Sequence, residues 1–569
     1  MRPMDDLSSD VVARLREHLA AVGYTVDGVH DLLGPLALAA LHRNETTPGL
    51  RATAGGGPLA TLTRLWLLQV PVARTQAERA LPELLAPLVA AGILHAYGSE
   101  VCALVDIRPY GATGIPAGTS SEARSSEARS PGARAVPGAA GAAGATDTDW
   151  WVVADLTPGM DGARPGVPPD HVLGVNSAGT TLAQLTVRRP VGRALDLGTG
   201  CGIQALHLAS HVGRIVATDV NPRALAMARL SAGLAGISVA DPHGGGERDE
   251  EPAQLEFRHG NLFEPVDGER FDLIVSNPPF VISPRGGLVY RDSGLAGDEV
   301  CRRIVAEAPR YLAEGGVCQI LASWMHVREE DWRERLLSWL RTGCDAWVVQ
   351  REVTDPAEYV ELWLKDAGGH GAPGYRERYD EWLAWFEAQN VEAIGYGWIT
   401  LQREGSGAAS LAPSAVDEAL GTHLRASTPG ARETWVEEWT GPVAQPLGQE
   451  VTRWLETVDL MRAYDDDLLM SARLRVAADV DQEQWGRPGA AHPEYVVLRQ
   501  RSGLRRAVQV DTAEAGFVGA CDGSMTTGQI IGALATLLED DEGALRSRLV
   551  PRIRQLILEG YLSVSVAVG

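Results

Sequence analysis

The stretch FDLIVSNPPF, residues 271–280, ends an apolar run on Asn277, Pro278, Pro279 and Phe280. A carboxamide oxygen and a peptide carbonyl are both hydrogen-bond acceptors. Placed side by side, the Asn277 side-chain oxygen and the Pro278 carbonyl can each take one N–H of a planar nitrogen. Such a nitrogen, in an amide or an aryl amine, is a poor nucleophile because its lone pair is delocalised. Holding both of its hydrogens fixes it and favours localisation of the lone pair. Proline locks φ and so holds its carbonyl still, while Phe280 offers a flat face for stacking on an amide or a base. Asn-Pro-Pro is also a common turn, and a plain strand stop is the alternative reading of the string.

A second constellation lies upstream in ALDLGTGCGIQALHLASH, residues 194–211. A short apolar strand carrying Asp196 runs through Gly198, Gly200 and Gly202 into an amphipathic helix. Glycines at alternate positions let the backbone turn sharply and let a ligand lie against it. The next strand, RIVATDV, ends on Asp219, where a carboxylate can accept hydrogen bonds from both hydroxyls of a ribose. The order D-x-G-x-G-x-G differs from the G-x-G-x-x-G that serves a pyrophosphate at a helix N-terminus. Asp196 would repel a phosphate but suits a cationic aminoacyl group, which points to S-adenosylmethionine. The alternative is a glycine-rich strand–helix turn without a ligand.

The elements that must position these residues read as a doubly wound α/β sheet. From about 171 to 404, apolar strands at RALDLG, RIVATDV, LEFRHGN, FDLIVSN, GVCQILASW, CDAWVVQREV and AIGYGWITLQ alternate with helical stretches. A polar acidic insertion occupies 238–254, and an aromatic-rich helix, 372–390, precedes the last strand. Residues 8–95 read mainly as helices and lead into the strand-like EVCALVDIRPYG. The tract from 111 to 148 is rich in Gly, Ala, Ser and Pro, with a tandem SSEAR, and its composition predicts disorder. Strand-like DWWVVADL resumes directly after it, so the tract reads as a loop between two strands of one domain.

The expected division is an N-terminal helical domain at 1–110 plus 149–160, a catalytic domain at 165–405, and an α+β C-terminal domain at 430–569. LVAAGIL (88–94) and LILEGYL (556–562) share Leu-x-x-x-Gly-x-Leu, the helix–Gly–strand ending of a winged-helix unit. The net charge of −23 argues against broad non-specific grip on nucleic acid, and Lys365 is the only lysine. No two of the six cysteines are spaced as a zinc or redox pair, and no metal is expected. An acidic first segment and the lack of a long apolar run predict a cytoplasmic protein.

With these motifs in place, the stretch from about 171 to 324 resembles the class I S-adenosylmethionine-dependent methyltransferases. The resemblance implies a Rossmann-like sheet of seven strands with the cofactor across the carboxyl ends of the first strands. It places Asn261, in HGNLFEP, near the adenine; as a residue alone Asn261 is equally a turn former. NPPF resembles the motif of methyltransferases that modify nitrogen on a planar group. The segment YRDSGLAGDEVCRRIVAEAPRYLAEGGVCQIL (290–321) is similar to the region downstream of that motif in release-factor glutamine methyltransferases. There Tyr290, Arg291 and Asp292 would shape the substrate entrance, or form a solvated loop. The Pro-Arg-x-x-Thr-Glu stretch of the bacterial enzymes is absent, and Thr180 and Thr181 stand in its neighbourhood.

The implied activity is N-methylation of a protein glutamine amide, with the translation machinery as the source of the acceptor. The alternative is an exocyclic amine of guanine or adenine in RNA or DNA. A third reading, from another class, is a cofactor-binding assembly factor without catalysis.

Overall fold

The computed structural model describes residues 7–111, 149–160, 167–240, 254–284, 295–340, 343–366, 374–405, 423–425, 433–488 and 493–565. The low-complexity tract, most of the acidic insertion, and Tyr290, Arg291 and Asp292 lie outside the described residues. The chain divides into two compact units. One comprises Met1–Ala183, Pro190–Arg341 and Glu352–Thr400; the other comprises Gln184–Arg189, Thr342–Arg351 and Leu401–Gly569.

The first unit begins with helices α1 (Ser9–Ala21), α2 (Val26–Leu41), α3 (Thr47–Ala52) and α4 (Pro58–Leu62). Ser8 caps α1 by accepting from the Val11 N–H, and Leu15 and Leu19 form its buried stripe. Next come β1 (Val72–Ala73), α5 (Arg74–Ala80), α6 (Leu85–Ala90), β2 (Leu94–Tyr97) and β3 (Glu100–Ala103). Strand β3 lies between β1 and β2 and is antiparallel to both. Helix α6 closes through Gly92 at φ 72°, with the Ile93 N–H donating back to the Leu88 carbonyl, which turns the chain into β2.

Strands β4 (Asp106–Gly111) and β5 (Asp149–Ala154) pair antiparallel from Asp106↔Ala154 to Gly111↔Asp149. The two ends of the low-complexity tract therefore meet on neighbouring strands. Trp151 on β5 donates its indole N–H to the Tyr24 carbonyl, 2.6 Å away.

The same unit contains α7 (Ser177–Leu185), β6 (Val191–Leu197), α8 (Ile203–Leu208), β7 (Val212–Asp219), α9 (Pro222–Leu234) and β8 (Leu255–His259). After these come β9 (Phe271–Ser276), α10 (Glu299–Glu307), β10 (Leu312–Val327) and α11 (Trp332–Trp339). Strand β11 (Cys344–Thr354) leads to α12 (Pro356–Asp366), α13 (Tyr375–Ala388) and β12 (Val391–Arg403). In this unit the strand order is β8-β7-β6-β9-β10-β12. The pairs β8–β7, β7–β6, β6–β9 and β9–β10 are parallel. Their centres (Leu195, Ile215, Val216, Leu273, Ile274, Val275 and Val317) are fully buried. Uninterrupted apolar runs are what a parallel sheet covered on both faces requires.

In the second unit β11 pairs in parallel with β14 (Thr434–Glu438), which also pairs antiparallel with β13 (His423–Arg425). Helices α14 (Gly448–Ala463) and α15 (Asp466–Ser471) lead to β15 (Arg473–Val476) and a meander of β16 (Val480–Trp485), β17 (Tyr495–Gln500) and β18 (Ala507–Val510). The chain then runs α16 (Thr512–Gly519), β19 (Asp522–Thr526), α17 (Thr527–Leu538), α18 (Glu542–Leu558) and β20 (Leu562–Val564). Strand β15 sits between β19 and β20. A buried ion pair organises this core: Arg506 donates to both oxygens of Glu437 at 2.7 and 2.6 Å, and the Trp347 indole N–H donates to the same carboxylate.

Candidate active site

The parallel register sets the geometry of the site. Leu197 on β6 stands opposite Thr218 on β7 and Ser276 on β9, and Asp219 stands opposite His259 on β8. The loops after β6, β7, β8 and β9 thus leave the sheet at one edge, its carboxyl edge. Gly198, Asp219, Asn261 and Asn277 all sit at or just beyond it. Ser276 fixes two of these loops together, its hydroxyl donating to the Leu197 carbonyl at 2.7 Å.

Gly198, Gly200 and Gly202 have φ of 77°, 55° and 89°, a region that side-chain-bearing residues rarely adopt. A Cβ placed on Gly198 or Gly200 would meet nothing within 4 Å, so both face open space. A Cβ on Gly202 would lie 3.1 Å from the Ala228 Cβ. The first two glycines form a cradle that a side chain would fill, and the third lets α8 approach α9.

Asp196 is 1% exposed. Its Oδ2 accepts from the Thr199 hydroxyl at 2.6 Å and the Ala205 N–H at 3.1 Å. Its Oδ1 is buried with no hydrogen-bond partner among the described residues. Burial pushes the carboxyl up to about 7, against the pull of Thr199 and Ala205, with the Asp219 carboxylate adding to the rise.

Asp219 accepts from the Gly200 N–H at 2.9 Å and the Asn221 N–H at 2.8 Å. Burial raises its pKa as well, opposed by those backbone donors. Asn261 is exposed two residues beyond β8, and its carbonyl accepts from the Glu264 N–H. It also lines a cavity of about 260 Å³ with Leu262, Phe263, Arg303 and Tyr311.

Asn277 is half-buried, and its Oδ1 has no hydrogen-bond partner among the described residues. Pro278 is buried and Phe280 half-buried. The loop they form is held at both ends. The Ser323 hydroxyl on β10 donates to the Phe280 carbonyl, and the Ile282 N–H donates to the Tyr359 hydroxyl on α12 at 2.6 Å. Val281 and Ile282 are buried in an apolar cluster with Tyr359, Val360, Trp382 and Phe386 of α12 and α13.

Thr199, Ser276, Ser323 and Tyr359 belong to this arrangement and do not stand out in the sequence; Asn221 belongs to it as well. Asn221-Pro222 does carry a signal, an N-cap followed by proline in the first helical turn. Tyr359 carries none. Among the described residues no group of three His, Cys, Asp or Glu side chains is placed to hold a metal.

Residues 174–328 match the family model described as methyltransferase small domain. The stretch that holds the glycine loop, Asp219, Asn261 and the NPPF loop is thus similar to methyltransferases. Residues 21–104 match a second model, described as a domain of unknown function (DUF7059). A release factor glutamine methyltransferase of Geobacter sulfurreducens is 34% identical over 138 residues, covering 21% of this chain and 42% of the relative. The ribosomal protein uL3 glutamine methyltransferase of Bradyrhizobium diazoefficiens is 31% identical over 185 residues, 30% of this chain and 53% of the relative. The ribosomal RNA small subunit methyltransferase C of Alcanivorax borkumensis is 30% identical over 132 residues, 23% and 32%. The chain spans about half the length of the curated relatives it matches.

Proposed function

We propose that the chain is an S-adenosylmethionine-dependent N-methyltransferase whose acceptor is the side-chain amide of a protein glutamine. The observation that carries this reading is the buried Asn277 Oδ1, unpaired among the described residues and followed in sequence by Pro278, at the carboxyl edge that also carries Gly198 and Gly200. Leaving a buried acceptor unpaired costs about 1–3 kcal/mol, which an incoming N–H group recovers. Relatives named for glutamine methylation on release factors and on ribosomal protein uL3 support this acceptor and a partner from the translation machinery.

The residues present suit the cofactor. Gly198 and Gly200 leave room against the backbone, Asp219 has lone pairs for the ribose hydroxyls, and the orphaned Asp196 Oδ1 suits an ammonium. Asn261 is assigned to the adenine end. When bound, S-adenosylmethionine supplies an electrophilic methyl group on a sulfonium.

The work of the chain is then alignment. Asn277 and Pro278 take the two amide hydrogens, and Phe280 covers the flat face of the carboxamide. Attack geometry at roughly 3–3.5 Å supplies most of the rate. The fixed acceptor dipoles favour the partial positive charge that grows on the nitrogen. No side chain need remove a proton first, since the N–H proton becomes acidic as the nitrogen is alkylated and leaves to water.

The same reading includes a seven-stranded sheet, which the run β8-β7-β6-β9-β10-β12 supports. It also includes the division at 1–110 plus 149–160, 165–405 and 430–569, with winged-helix-like ends. A cytoplasmic site of action belongs to it too; among the described residues no helix is long and apolar enough to cross a membrane.

The ribosomal RNA relative favours a second reading, methylation of an exocyclic nucleobase amine. Transfer of tritiated methyl to a cell lysate, separated into protein and RNA, decides between them. Label in protein, lost in Asn277→Ala, is the expected result; label in RNA alone overturns the glutamine assignment.

A further inference from the structure

The strand that ends the N-terminal region, β5, is followed by Asp155, whose carboxylate is the centre of a linkage running toward the glycine loop. Arg223, in the first turn of α9, donates to it through Nε at 3.2 and 3.1 Å and also through Nη2. The Val172 N–H donates to Asp155 Oδ2 at 2.8 Å, and His171 Nδ1 stands 3.8 Å from the same oxygen. The Asp155 side chain is 10% exposed and that of Arg223 21%. An arginine at the start of a helix opposes the helix dipole. Its position there is accounted for by Asp155.

Between Arg223 and Asp219 lies Asn221, 7% exposed, with each of its polar groups engaged. Its Oδ1 accepts from the Arg223 N–H at 3.0 Å, and its Nδ2 donates to the Asp170 carbonyl at 2.9 Å. Its backbone N–H donates to Asp219 Oδ1 at 2.8 Å. The segment after β5 therefore grips the turn that carries Asp219 at two points, through Asp155 on Arg223 and through the Asp170 carbonyl on Asn221.

We infer that Asp155 and Arg223 are positioning residues for Asp219, and that through them the segment following β5 sets how tightly the site holds a ribose diol. This rests on the assignment of Asp219 to the cofactor ribose. Neither residue touches the ligand; each restrains the Asn221 amide that aims the carboxylate. Residues outside the shared methyltransferase sheet thereby enter cofactor affinity, and Asp155 itself precedes the stretch matched by the methyltransferase model.

Calorimetry on the full chain tests this with two probes, S-adenosylhomocysteine and its 2′,3′-dideoxyribose analogue. Asp155→Asn and Arg223→Met are each expected to weaken S-adenosylhomocysteine by about five- to tenfold, equivalent to roughly one decade or less in Kd. The double variant is expected to be no weaker than the worse single one, because the two residues act through one linkage. For the dideoxy analogue the loss is expected to shrink below about twofold. Equal losses for both probes would mean general loosening of the fold and would overturn the inference, as would unchanged binding of S-adenosylhomocysteine in Asp155→Asn, the milder variant. If the unaltered chain binds the two probes equally, the ribose assignment of Asp219 fails first and the inference falls with it.

Discussion

At the scale of single residues, the buried Asp196 carries the proposal for the cofactor's ammonium. A carboxyl lifted to about 7 by burial is largely protonated at pH 6 and largely charged at pH 8. Because its folded value lies above the unfolded one, its contribution to stability is fully present below about pH 4 and is lost as pH rises through about 7. A cation against the free Oδ1 reverses the preference and draws the proton off. Binding of S-adenosylmethionine at pH 6.5 is therefore expected to release a fraction of a proton and to tighten as pH rises from 6 to 8. Calorimetry in two buffers of different ionisation enthalpy reads this directly. In Asp196→Asn the buffer dependence should vanish; identical heats in both buffers for the unaltered chain would remove Asp196 from the ammonium site. The single-letter pattern shows the carboxylate but not its division of labour. That one oxygen is committed to Thr199 and Ala205 comes from the turn geometry of positive-φ glycines, which only the folded chain displays.

At the scale of elements, a helical hairpin anchors the chain just after the NPPF loop. The α12–α13 hairpin, inserted between β11 and β12, buries Tyr359 completely and uses its hydroxyl to accept from Ile282, two residues past Phe280. Tyr359→Phe keeps the ring among Trp382, Phe386 and Tyr396 but strands a buried N–H, at a cost of about 1–3 kcal/mol. The expected outcome is a lowered Tm and a fall in kcat of at least severalfold. KM for S-adenosylmethionine should be unchanged, since the edge proposed for the cofactor is held by β6 and β7. A change in KM without a change in kcat would show that the hairpin does not act through the NPPF loop.

The strands that carry the site were legible because a parallel sheet demands apolar runs and its loops demand glycine, proline and asparagine. The hairpin is legible only in its second helix, the aromatic stretch 372–390, and there only as packing. Its link to Ile282 joins residues 77 apart in sequence through a single hydroxyl, and no periodicity encodes that. The N-terminal region read as helices for a comparable reason. Strand β1 has two residues, too few to show alternation, and its pairing with β3 comes from the fold.

Across the whole molecule, the repeated Leu-x-x-x-Gly-x-Leu marks two pieces with the same strand–helix–helix–strand order. Both close a helix through a left-handed glycine, Gly92 at φ 72° and Gly560 at φ 82°. In each, a third strand lies between the outer two, but the chain supplies it differently. Strand β3 follows its piece, whereas β15 precedes its own. Such a unit binds nucleic acid by presenting basic side chains from a helix to phosphates, and here that chemistry is missing or spent. Helix α6 has no lysine or arginine. On α18, Arg546, Arg552 and Arg554 lie 3.1, 3.2 and 2.9 Å from Asp467, Glu514 and Asp466, and Arg548 is 4.0 Å from Asp540. The net charge of −23 adds a general repulsion of phosphates. The full chain is therefore expected to bind a 20-nucleotide single-stranded RNA more weakly than about 10 μM at 150 mM salt. The logarithm of its affinity should change by less than about two per decade of salt, against the six or more of a protein that contacts many phosphates. Fluorescence anisotropy between 50 and 300 mM salt measures both quantities. A steep slope would show a basic surface that these ion pairs do not neutralise, and would move the balance from the glutamine acceptor to the nucleobase.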